Sequence, residues 1–109
     1  MSYEEINTMI ESIGLPSTYY QWPAKEVPEL PYIVFYYPGR NDFQADNTNY
    51  VHVTELNIEL YCDNKDFEHE AAVEAVLEAH DLIYSKEEMY ISDERMYETL
   101  YTMEVVING

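Results

Sequence analysis

The sequence predicts an α+β domain: a single, mostly antiparallel β-sheet with two α-helices packed on it, in the order α-β-β-β-α-β-β. Three stretches lead to this. In Val51–Cys62 (VHVTELNIELYC), Leu56, Ile58, Leu60 and Cys62 alternate with Asn57, Glu59 and Tyr61. Side chains of a strand point to opposite faces with period two, so one face of this strand meets a core. Residues 97–107 alternate in the same way, Tyr97, Thr99, Tyr101, Met103, Val105 and Ile107 against Glu98, Leu100, Thr102 and Glu104. Near the N-terminus, Ile6, Met9, Ile10 and Ile13 fall at i, i+3, i+4 and i+7, the stripe of an amphipathic helix.

Taken in order, Ser2 and Glu5 form a capping-box pattern that starts the first helix. Gly14, Leu15 and Pro16 end it, glycine being free to take the left-handed C′ conformation. Ser17–Trp22 reads as a short aromatic strand, and 23–31 as an extended connector, since it holds three prolines. Trp22 reads either as a cap on the core or as an interface anchor. Tyr32–Tyr37 (YIVFYY), bracketed by Pro31 and Pro38, is apolar throughout and implies a strand covered on both faces.

Pro38–Tyr50 (PGRNDFQADNTNY) is polar, turn-rich and longer than a tight hairpin needs. It reads as a mobile hairpin tip or as a contact segment, the second because it holds Arg40 and Phe43. In the strand that follows, Val51 and Val53 have the opposite phase to Leu56–Cys62. Either a bulge lies near Thr54-Glu55, or this half of the strand is covered by a neighbouring chain.

Asp63-Asn64 supplies an N-cap for a second helix of about four turns. Its apolar face comprises Phe67, Ala71, Ala72, Val73, Val76, Leu77 and His80. Asp66, Glu70, Glu74 and Glu78 recur every four residues, a pattern that reads as a solvated ridge or as a docking face for a basic partner. Leu82–Tyr84 and Met89–Ile91 read as short strands, and the turn at Ser92-Asp93-Glu94 pairs the last two strands antiparallel.

Composition narrows the function classes. At 109 residues, 47% of them apolar, the chain reads as one domain, 1–109, with a modest core. With 5 Lys and Arg against 22 Asp and Glu, the net charge is −17. Such a surface repels nucleic acid and anionic membranes, because phosphate binding needs basic residues. No apolar run reaches the roughly 18 residues of a membrane span, and the first residues do not read as a secretory signal. The 12 tyrosines suit half-buried sheets and interfaces.

Catalytic and metal signatures are wanting. His69-Glu70 opens like a zinc-protease helix, but the position of its second histidine is Val73. Cys62 alternates into the core, and His52 and His80 read as core or rim residues. None of Ser12, Ser17, Ser85 and Ser92 has the flanking glycines of a nucleophile elbow, and three scattered glycines cannot cradle a phosphate. The expectation is a chain with no catalytic residues, metal or cofactor.

Residues 15–107 resemble the tail terminator, or head–tail joining, proteins of long-tailed phages and prophages. The resemblance rests on LPYIVFYYP, the polar loop, the strand exit NIELYCDNKDFE, the acidic second helix and the closing hairpin ending LYTMEVVI. It implies a structural protein of the virion, assembled in the bacterial host cytoplasm and sited at the head-proximal end of the tail. Such proteins form a ring, usually of six copies, on the finished tail tube. The ring ends tube polymerisation and meets the head connector, while DNA passes through without specific binding. The implied partners are other copies of the chain, formed into a ring in solution or only on the tail, the major tail tube protein and the head connector protein. The loop from Gly39 to Tyr50, with Arg40, Asp42, Phe43, Asp46, Asn49 and Tyr50, is the implied contact with a neighbour or the tube. Two readings compete with this one. An acidic inhibitor would imitate DNA phosphates and occupy a nucleic-acid-binding protein. An enzyme would need a cleft with perturbed carboxylates.

Overall fold

Helix α1 (Tyr3–Glu11) begins where the capping box predicts. The Ser2 hydroxyl accepts from the Glu5 N–H at 3.0 Å, and the Glu5 carboxylate accepts from the Ser2 N–H at 3.0 Å. Beyond the helix, Gly14 takes a φ of 90°, a value that a side chain would strain. The computed structural model that supplies this geometry describes residues 1–108, apart from the side chain of Asn49.

Six strands and a second helix follow: β1 (Ser17–Tyr19), β2 (Tyr32–Tyr36), β3 (Phe43–Ala45), β4 (Thr48–Cys62), α2 (Phe67–Ala79), β5 (Tyr84–Ile91) and β6 (Met96–Ile107). The sheet runs β1-β2-β4-β6-β5, with β3 paired to the far end of β4. Every pairing is antiparallel except β1 with β2. The α+β class and the mostly antiparallel sheet are therefore as expected, with one further short strand.

Both helices pack on one face of the sheet. Ile6, Met9 and Ile10 of α1 and Val73 and Leu77 of α2 meet Ile33, Phe35, Leu56, Ile58, Leu60, Tyr101, Met103 and Val105. These alternate along their strands, so the period-two pattern is the direct cause of a one-sided core. On the opposite face the connector from Tyr20 to Pro31 lies over one end of the sheet. Trp22 meets Tyr32 edge-on at 5.7 Å between ring centres, which buries Tyr32 and Val34 and gives β2 the two covered faces its sequence implied. Neither helix is long and apolar enough to cross a membrane.

Several local expectations need correction. The register between β4 and β6 runs without a shift from His52–Ile107 to Cys62–Tyr97, so no bulge occurs at Thr54-Glu55. Val51 and Val53 stay on the helix-free face, and Thr54 takes the last buried position on the helix side. Leu82–Tyr84 and Met89–Ile91 are not two strands: β5 is continuous along β6 from Tyr84 to Ile91. In its charged middle, which resembles a break, Lys86 pairs with Glu70 and Glu74, and Glu88 with Lys65. The N-cap of α2 is Asp66, whose carboxylate accepts from the His69 N–H at 2.9 Å, rather than Asp63-Asn64. The apolar face of α2 is narrower than its sequence suggests. Val73 and Leu77 are buried and Val76 partly so, whereas Ala71, Ala72 and His80 are exposed. Phe67, 72% exposed, instead lies under the Lys65 ammonium, 4.6 Å from its ring centre.

Candidate functional site

The segment read as a long polar loop is a built β-hairpin arm. Ala45 pairs with Thr48, and between them Asp46 and Asn47 take φ values of 52° and 62°. Two consecutive left-handed residues form the two-residue turn whose twist matches antiparallel strands, and Asp and Asn tolerate that conformation best after glycine. The pairing shifts register between Phe43 and Gln44, a bulge that re-aims Phe43.

The arm extends past the rest of the sheet. The last partner that β4 finds on β6 is Ile107, opposite His52, so Thr48–Val51 pair with β3 alone. Phe43 (60% exposed) and Tyr50 (73% exposed) meet edge-on at 6.4 Å. The pair lies on the flank of the arm next to its root and leaves aromatic area open to water, a feature enriched at protein contacts.

Asp42 fixes the arm's root. Its carboxylate accepts from Arg40 Nη2 at 2.6 Å and from the Val53 N–H at 3.0 Å, and lies 3.0 Å from His52 Nδ1. The His52 hydrogen bond above all, with those from Arg40 and Val53, pulls the carboxyl down to about 2. Backbone bonds continue the pairing through the root: the Asn41 N–H donates to the Val53 carbonyl and the Glu55 N–H to the Gly39 carbonyl, each at 2.8 Å. Of the residues assigned to this contact segment, Arg40 and Asp42 are therefore structural at its base, and Phe43 and Tyr50 form its exposed surface. Asp46 sits in the turn; the side chain of Asn49 lies outside the described residues.

The acidic stripe of α2 is not a solvated ridge. Glu70 is buried against the sheet and receives Lys65 Nζ at 2.7 Å and Lys86 Nζ at 2.8 Å. Glu74 receives Lys86 at 2.8 Å and the Tyr101 hydroxyl at 2.7 Å. Burial disfavours the Glu70 carboxylate, but the bonds from Lys65 and Lys86 outweigh it and hold its pKa below the ordinary range. Lys86 is correspondingly raised by Glu70 and then Glu74. Asp66 caps the helix, and Glu78 is the most exposed of the four, with the Tyr84 hydroxyl at 3.4 Å.

A second carboxylate group, missed in the sequence, lies on the helix-free face. Tyr61 stands opposite Glu98 and Glu59 opposite Leu100, which brings Glu59 and Glu98 together diagonally across β4 and β6. Burial, then the Glu98 charge and hydrogen bond, push Glu59 up to about 7. The Tyr61 hydroxyl is raised as well, by burial and then by Glu59 and Glu98. Trp22, Tyr32, Val34, Ile91, Glu94 and Met96 complete a hollow of about 290 Å³ around Glu59 and Tyr61. A signal existed: both glutamates alternate with core positions, but only the register shows that they meet.

Cys62 is buried on the helix side, where burial first and then the charges of Asp66, Glu70 and Asp63 push its thiol up to about 11. Among the described residues, no group of three or more His, Cys, Asp or Glu is placed to hold a metal ion. Comparison with protein-family models finds none that matches the chain, and no curated protein is significantly similar to it.

Proposed function

We propose that the chain is a non-catalytic structural protein that caps a phage tail tube. Copies assemble as a ring on the head-proximal end, stop tube polymerisation and join the tail to the head connector. The observation that carries this reading is the β3–β4 arm, a hairpin extending past the sheet whose Phe43–Tyr50 pair, next to its root, remains mostly exposed to water. A neighbour in a ring, or the tube beneath it, supplies the missing apolar surface. The charge of −17 fits the same role, since a carboxylate-rich wall lets DNA slide past without capture. The short parallel strand β1 and the charged strand β5 close the two sheet edges, which leaves the arm as the projecting contact.

The test is negative-stain microscopy of particles from a phage or induced prophage lacking this gene. Filled heads beside unattached tubes of irregular length are the expected result. Normal joined virions would overturn the reading and favour an acidic inhibitor of a nucleic-acid-binding protein, whose complex would be salt-sensitive.

A further inference from the structure

Beside the arm, the helix-free face of the sheet carries a second surface that the capping role does not use. Glu55 of β4 stands directly opposite Glu104 of β6. Like charges in that position destabilise a sheet, and among the described residues the ion pairs of Arg40, Lys65 and Lys86 go to other carboxylates. Among the described residues, neither Lys nor Arg projects from this face of β2, β4, β5 or β6. Lys86 points to Glu70 and Glu74 under α2, and Arg40 is turned to Asp42 and His52. The two glutamates line a groove of about 580 Å³ with Asp81, Leu82, Ile83, Ser85 and Thr102. Ile83 is 91% exposed on its margin, a large aliphatic side chain beside three carboxylates.

We propose that this groove receives a segment of a different polypeptide, in which a lysine or arginine enters between Glu55 and Glu104 and an adjacent aliphatic side chain covers Ile83. Charge complementarity selects that occupant over a second copy of the chain. Another copy brings 22 carboxylates, and three of its five cations, Arg40, Lys65 and Lys86, are already held in ion pairs. A basic side chain placed between two facing carboxylates gains from both and removes their mutual repulsion, while the aliphatic contact gives the site apolar area. The inference concerns the chemistry of the partner and does not depend on the assembly to which the chain belongs.

The probe is the peptide acetyl-Gly-Lys-Leu-Lys-Gly-amide, titrated into the intact chain while amide chemical shifts are followed. Shifts are expected at Glu55, Ile83, Thr102 and Glu104. Glu55→Gln with Glu104→Gln is expected to weaken binding about tenfold, and Ile83→Ser about threefold. Glu11→Gln with Glu68→Gln, which removes the same charge from exposed helix positions, is expected to change it less than about twofold. Equal weakening by both pairs of substitutions would reduce the effect to net charge and overturn the proposal. So would shifts confined to the helices, absence of binding, or a solution dimer whose contact protects the Glu55 and Glu104 amides from exchange.

Discussion

Lys86 on the edge strand β5 reaches Glu70 on α2 at 2.8 Å, across the top of the Tyr101 side chain. The pair ties the outermost strand of the sheet to the helix above it, and Lys65 holds the same carboxylate from the start of α2. Glu70 is 3% exposed, so its charge is tolerated only because it is paired. Lys86→Ala leaves Lys65 in place and is expected to cost about 1 kcal/mol, since both lysines are partly solvated. Lys65→Ala with Lys86→Ala strands the carboxylate and is expected to cost about 3 kcal/mol, more than twice the single loss. Urea unfolding of the two variants measures both, and additive effects of about 1 kcal/mol each would show the carboxylate to be well solvated.

The Glu59–Glu98 pair sets a pH dependence of the opposite sign to an ordinary ion-paired carboxylate. Folding raises Glu59 from 4.5 to about 7, so over that interval the native state binds more protons than the unfolded chain. Stability is therefore expected to fall as pH rises from 4.5 towards 7, by roughly 2 kcal/mol after allowance for partial solvation. Glu59→Gln should remove this slope and raise stability at about pH 8. Trp22, the sole tryptophan, lines the same hollow and reports it directly: its fluorescence should titrate with a midpoint near 7 in the parent and not in the variant. A midpoint near 4.5 in the parent would mean that Glu59 is free in solvent.

Asp42 behaves in the conventional direction. Its folded carboxyl lies at about 2, below the ordinary 3.8, so its contribution is present above 3.8 and lost as pH falls through 2. Asp42→Ala frees the Val53 N–H and releases Arg40 and His52 at the arm's root. The arm lies outside the main core, so the expected effect is local: amide exchange of residues 41–53 rises about tenfold or more, while exchange in β2 and β6 is unchanged. Uniform acceleration across the sheet would mean that the root and the core unfold together.

These three sites differ in how far the sequence disclosed them. Where one residue pattern meets one geometry, the reading was direct: the capping box at Ser2, the alternation of β4 and β6, and the apolar run of β2 all form as their spacing requires. The arm's paired strand β3 is hidden in the sequence because Asp46-Asn47 is a weaker hairpin signal than a glycine-containing turn, and polar residues surround it. For Glu70 and Glu74 the sequence leaves a solvated ridge or a docking face, because helical spacing gives a stripe but not the direction in which it faces. Their partner Lys86 is distant in the chain, on a strand whose charges obscured it. Glu59 and Glu98 needed the β4–β6 register before their meeting could be seen. Pairwise chemistry between distant segments was the part that residue patterns alone could not supply.

The arm's aromatic pair separates folding from assembly. Phe43 and Tyr50 contact one another and are mostly exposed, so Phe43→Ser with Tyr50→Ser removes little buried area and is expected to lower stability by less than about 1 kcal/mol. If the pair packs against a neighbour or the tube, each exposed aromatic becomes an anchor at that contact, where truncation costs about 2 kcal/mol or more. Supplied in place of the parent gene during phage growth, the double variant should then give soluble, folded chain together with heads and unattached tails. Circular dichroism of the purified variant and microscopy of the lysate together check both halves. Joined virions produced at the parental level by a folded double variant would remove the Phe43–Tyr50 pair from the assembly contact.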